Sequence, residues 1–124
     1  MPTYLDHLNP RLHADGQLND FIQIRDGRVI FAGALDLLDL AERYGAPLEV
    51  SFCPLITRRI QEMRAHFGAA RERAGYDAGF AYAYATKANF AEEVVRTAIG
   101  AGAHYETSSA FDVRIAHSLW QRGI

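Results

Sequence analysis

The chain has 124 residues, room for one ordinary domain of about 100–150 residues. Hydrophobic residues make up 49% and charged residues 23%, values of a folded globular protein that exclude a disordered chain. The net charge of -2 carries no basic excess and no like-charge run, which argues against nucleic acid as a partner. No apolar run approaches the roughly 18–20 residues that a membrane span needs. The first residues, Met1-Pro2-Thr3-Tyr4-Leu5-Asp6-His7, show no basic-then-apolar leader. One cysteine, Cys53, cannot form an internal disulfide. A cytoplasmic protein that engages no membrane is expected.

Residues 1–19 are polar and mixed, and are expected to be irregular. Phe21-Ile22-Gln23-Ile24 and Val29-Ile30-Phe31-Ala32 read as two strands. Asp26-Gly27 between them tolerates the positive φ angles of a tight hairpin turn. Ala34 to Arg43 reads as a helix with Leu37, Leu38, Leu40, Ala41 and Tyr44 on one face. Gly45 is placed to end it and Pro47 forbids its continuation. Leu48-Glu49-Val50-Ser51-Phe52 alternates like a short strand. A longer helix is expected after Pro54, because Ile56, Ile60, Met63 and Phe67 share one face. Arg58, Arg59, Gln61, Glu62 and Arg64 form its solvated side. It breaks at Gly68 or runs on to Ala74.

Phe80-Ala81-Tyr82-Ala83-Tyr84-Ala85-Thr86-Lys87 alternates strictly. Phe80, Tyr82, Tyr84 and Thr86 fall on one face of a strand; Ala81, Ala83, Ala85 and Lys87 fall on the other. A helix with Val94, Val95, Ala98 and Ile99 apolar follows, stopped near Gly100 or Gly102. Ala103-His104-Tyr105-Glu106-Thr107 is a second short strand. Ser109 followed by Asp112 matches a capping box for a last helix that runs to about Gln121. Residues 80–122 thus read strand, helix, strand, helix, which implies an α/β fold with a parallel sheet. The bulky face fits a barrel strand whose aromatics meet outer helices, with the alanine face towards a lumen.

Lys87 ends the first of these strands, at the edge where active sites of parallel sheets gather. On an alanine-lined face, partial desolvation would favour the neutral, nucleophilic amine. The same spacing also allows a lysine that leaves the sheet and reaches water. The five histidines, His7, His13, His66, His104 and His117, show no paired metal spacing. Gly100-Ala101-Gly102 closes a helix instead of opening one and is not a dinucleotide loop. No metal site is expected, and Cys53 before Pro54 reads as buried.

Tyr84-Ala85-Thr86-Lys87-Ala88-Asn89 resembles the Tyr-Ala-x-Lys-Ala-Asn signature of pyridoxal-phosphate-dependent decarboxylases of the alanine-racemase fold type. That group includes the ornithine, diaminopimelate and arginine decarboxylases. Residues 38–48 are similar to the family's segment before the barrel. Glu92-Glu93-Val94-Val95-Arg96 with Gly100-Ala101-Gly102 is similar to its first barrel helix. The resemblance covers about residues 34–124. It implies the N-terminal portion of a (β/α)₈ TIM barrel, residues 34–124, preceded by residues 1–33, whose hairpin belongs to a second, β-rich domain.

The resemblance also implies roles. Lys87 would hold pyridoxal 5'-phosphate covalently, with Ala85, Glu106 and Ser109 as further cofactor contacts. Glu106 would help set the cofactor's position or protonation, and Asp112 would approach the lysine or an adjoining charge. Ser109 and Asp112 are equally explained by the capping box. Glu106-Thr107-Ser108-Ser109-Ala110-Phe111-Asp112 is similar to a segment of some biosynthetic arginine decarboxylases, so arginine, giving agmatine, is the first expected substrate. The alternatives are a diaminopimelate- or ornithine-type enzyme, a non-catalytic pyridoxal-phosphate carrier, and an ordinary α/β interaction domain in which Lys87 is incidental. A full barrel takes about 250 residues. The chain is therefore expected to be a fragment of a longer homodimeric or higher oligomeric enzyme, and inactive by itself.

Overall fold

The computed structural model describes residues 16–124. The expectations for residues 1–15, His7 and His13 among them, lie outside the described residues. The chain forms two compact units that divide between Val50 and Ser51, so the first helix groups with the hairpin and not with the residues that follow.

The first unit is built on the hairpin. Strands β1 (Ile22–Arg25) and β2 (Arg28–Phe31) pair antiparallel, with Ile24 opposite Val29 and Arg25 opposite Arg28. Asp26 and Gly27 alone make the turn, both with positive φ (51° and 74°), the left-handed pair that matches strand twist. Phe21 and Phe31 stack with centroids 6.5 Å apart. A two-residue strand β3 (Leu35–Asp36) extends the sheet to the order β1-β2-β3. Helix α1 (Leu37–Tyr44) starts only after it, later than the expected Ala34. The reason is Asp36, whose carboxylate accepts from the backbone N–H groups of Leu38 and Asp39 and so caps the helix there. Leu35 meanwhile pairs with Phe31. Arg28 forms ion pairs with Asp36 and Asp39, and the first holds the Asp36 carboxyl below its ordinary range.

The expected strand at residues 48–52 does not form. Leu48 and Val50 are exposed, and alternation alone makes no strand without a neighbouring edge to bond.

In the second unit, α2 (Cys53–Ala74) runs unbroken through Gly68. Pro54 sits in its first turn, where a missing N–H costs nothing. Gly75 ends it in the left-handed region (φ 60°), with its N–H on Glu72 and that of Tyr76 on Arg71. Strand β4 (Ala83–Ala85) lies parallel to β5 (His104–Glu106), joined by α3 (Glu92–Gly100). Helix α4 (Ala110–Gln121) closes the described chain. The order strand, helix, strand, helix is as expected, and the unit is α/β with two parallel strands. No closed barrel exists among the described residues.

The core of this unit is Ile60, Ala98 and Ala103, with Ile56, Tyr82, Tyr84 and Ala101 packed on it. The aromatic face of the β4 segment thus meets helices α2 and α3, as its alternation implied, while Ala81 and Ala83 are exposed. Phe80, just before β4, stacks on Phe67 of α2 with centroids 4.8 Å apart. Among the described residues no helix is long and apolar enough to cross a membrane.

Candidate functional site

The parallel register Ala83–His104, Tyr84–Tyr105, Ala85–Glu106 brings the carboxyl ends of β4 and β5 side by side. The expected strand over residues 80–87 is shorter than its alternation. Pairing stops at Ala85, and Thr86-Lys87-Ala88 forms a single 3₁₀ turn. The cause is a change of partner. Thr86, fully buried, turns its hydroxyl to the main-chain oxygen of Glu106 at 3.0 Å. Tyr84 donates its hydroxyl to the carbonyl of Asn89 at 3.1 Å, bracing the far side of the turn. Burial, with Tyr82 beside it, pushes the Tyr84 phenol up from its ordinary value.

Lys87 is presented by this turn and is exposed, which corrects the expectation of a desolvated amine on an alanine wall. The turn moves it out of the strand's alternation. Among the described residues it has no ion pair, so its amine is not neutralised by a neighbouring carboxylate. It is also the only lysine of the chain; every other Lys+Arg position is arginine.

Glu106 ends β5 and is half-buried. Its Oε1 accepts from the hydroxyl of Ser108 at 3.0 Å. Its Oε2 is closed off from solvent and takes no donor among the described residues. His104, on the same face, is exposed. Ala85 is the last residue of β4, directly opposite Glu106.

Ser109 and Asp112 form the cap that the sequence signalled. Ser109 Oγ accepts from the Asp112 N–H at 3.2 Å and donates to Asp112 Oδ2 at 2.9 Å. The Ser108 N–H donates to the same oxygen at 2.9 Å. These donors, the Ser108 N–H first, hold the Asp112 carboxyl below its ordinary range although the residue is buried. No hydrogen bond or ion pair among the described residues joins Asp112 to Lys87.

Two members of this cluster escaped sequence reasoning. Thr86 had a signal: it continues the face of Tyr82 and Tyr84, where a hydroxyl must find a partner. Ser108 had none beyond its place between an acid and a helix cap. The groove of about 330 Å³ between Phe90, Glu92, Ile115, Leu119 and Arg122 lies apart from these residues, and none of Lys87, Glu106 and Ser108 lines it. Among the described residues no group of His, Cys, Asp and Glu is placed to hold a metal. Cys53 is half-buried, with its thiol 3.9 Å from the Glu93 carbonyl.

Comparison of the chain with protein-family models, with curated proteins and with solved structures returns no match. The functional reading therefore rests on the residues themselves.

Proposed function

We propose that this chain carries the cofactor-lysine segment of a pyridoxal-phosphate-dependent amino-acid decarboxylase, the first part of a (β/α)₈ barrel, acting on a basic amino acid with arginine as first choice. The observation that carries the reading is the placement of Lys87 and Glu106 at the carboxyl ends of two adjacent parallel strands, where such sheets gather their chemistry. The residues present fit the cofactor. Lys87 is the one side chain able to form a Schiff base, it is exposed, and no carboxylate among the described residues engages it. Glu106 ends the neighbouring strand with one carboxylate oxygen held by the Ser108 hydroxyl.

When bound, pyridoxal phosphate supplies the electron sink that amino-acid decarboxylation needs. The chain's own residues bind and orient. Lys87 Nζ is the covalent anchor, and Thr86 fixes the turn that presents it. Glu106 helps to set the cofactor's position or protonation. Ala85 contributes the strand end beneath them. Ser109 and Asp112 act on the site through the helix cap that seats the segment after β5.

The test is covalent trapping. The protein is incubated with pyridoxal phosphate, reduced with borohydride and mapped by mass spectrometry. Label on Lys87, lost in Lys87→Arg, is expected. Label confined to the N-terminal amine refutes the reading. Release of carbon dioxide from arginine, ornithine and diaminopimelate by the natural protein that carries this sequence then separates the substrates.

A further inference from the structure

We infer that the groove between α4 and the start of α3 is a binding site for a small carboxylate with an aromatic body, its charge taken by the Arg114 guanidinium. The inference uses none of the residues of the cofactor reading and does not depend on it.

The groove is about 330 Å³, at the lower end of the range for small-molecule pockets, room for one ring and a short acid. Helix α4 and its C-cap supply two adjacent rows at a spacing of four residues. Arg114, Ser118 and Arg122 form a polar rail, and Ile115 and Leu119 form an apolar rail beside it. Phe90 and Glu92 line the groove from the start of α3. Phe90 is 63% exposed and stacks on no other ring among the described residues, so its face is open to a ligand.

The charges along the groove select the ligand. Both oxygens of Glu92 accept from Arg122 at 3.0 Å, and Arg96 reaches the same carboxylate at 3.4 Å. Arg122 is thereby neutralised and Glu92 is spent. Arg114 has no hydrogen bond or ion pair among the described residues. Its own helix cannot supply one: the neighbours at three and four residues, Ala110, Phe111, His117 and Ser118, include no acid. Arg58 and Arg59 on α2, by contrast, share Glu62. One unmet positive charge therefore lies beside an apolar wall. A carboxylate complements it, because the planar guanidinium can give it two parallel N–H bonds. The Ser118 hydroxyl is a further donor on the same rail. A phosphate dianion would call for a second free cation. An amino acid would bring an ammonium for which the groove holds no free acid. Phe90 and Ile115 take the aromatic body.

The test titrates the full chain with phenylpropionate at about 0.15 M salt, where diffuse attraction is screened, and follows backbone amides by NMR. Saturable shifts at Phe90, Ile115, Ser118 and Leu119 are expected, with a Kd on the order of 1 mM for a ligand of this size. Arg114→Gln should weaken binding about tenfold, the scale of a hydrogen bond to a charged group. The neutral amide of the same acid should bind wild type about tenfold more weakly and be indifferent to Arg114→Gln. Phe90→Ala should weaken acid and amide alike. Both residues are exposed, so the unfolding midpoints of the variants should match wild type. Phenylalanine and phenyl phosphate should bind more weakly than phenylpropionate.

Amide and acid of equal affinity, or an acid that binds Arg114→Gln as tightly as wild type, overturns the inference. So do shifts centred on Lys87 with the groove unmoved, and so does a titration without saturation by about 20 mM. Phenyl phosphate binding more tightly than the acid overturns the carboxylate as the ligand.

Discussion

Thr86 donates its buried hydroxyl to the main-chain oxygen of Glu106 at 3.0 Å, so the turn that presents Lys87 is latched to the end of the neighbouring strand. The two strands share only three registered pairs, too few to fix their ends firmly by themselves. The latch carries the register one step further, into the segment where the chemistry is proposed.

Thr86→Val keeps the volume of the side chain and removes the donor. A buried hydrogen bond lost in this way costs about 1–2 kcal/mol. Urea unfolding should show that loss, and borohydride trapping should show less label at Lys87. A variant of unchanged stability and labelling would mean that the hydroxyl is a passenger.

Lys87 itself should be dispensable for folding. It is exposed and makes no ion pair among the described residues, so Lys87→Ala should change stability by less than about 0.5 kcal/mol. The same variant should lose all reducible adduct except any on the N-terminal amine. A large destabilisation would assign the lysine a structural role instead.

How much of this was legible in the sequence depended on whether a signal was local. Asp26-Gly27 fixed the hairpin because two residues alone make its turn. The spacing of Ile56, Ile60, Met63 and Phe67 gave α2, since a helix satisfies its own backbone bonds. Ser109 and Asp112 gave the start of α4 for the same reason. A strand needs a partner from elsewhere in the chain. Leu48 to Phe52 alternates and finds none, and Phe80 to Lys87 alternates over twice the length that actually pairs. The exposure of Lys87 followed from that shortfall. Lys87 and Glu106 were candidates from the sequence; the hydroxyls of Thr86 and Ser108, which bond to Glu106, were not. Those contacts join residues whose proximity only the β4–β5 register decides.

The cap of α4 should make stability sensitive to acid. In the folded protein the Asp112 carboxyl lies below its ordinary value, because the Ser108 N–H and the Ser109 hydroxyl donate to the charged form. A carboxyl depressed on folding contributes stability above its unfolded value and loses it as pH falls through the folded one. Urea midpoints should therefore decline from about pH 5 downwards. Asp112→Asn should flatten that decline and lower stability at neutral pH. Ser109→Ala should cost about 1 kcal/mol through the lost cap. An acid limb as steep in Asp112→Asn as in wild type would exclude Asp112 as its source.

Gly102 offers the sharpest test of how the helices hold the second strand. It lies in the left-handed region, with φ at 89°, just before β5. Its carbonyl accepts from the guanidinium of Arg64, on α2, at 2.7 Å. A Cβ at this position would run into the same guanidinium. Gly102→Ala therefore meets two separate costs. The backbone conformation costs about 1 kcal/mol for any residue but glycine. The displaced arginine adds the loss of a bond that ties α2 to the entry of the strand bearing Glu106. Only the second cost depends on Arg64. In an Arg64→Ala background, Gly102→Ala should thus be less destabilising than in wild type, with the remainder set by φ alone. Equal losses in the two backgrounds would show that Arg64 swings aside freely and that the glycine is required by its backbone angle.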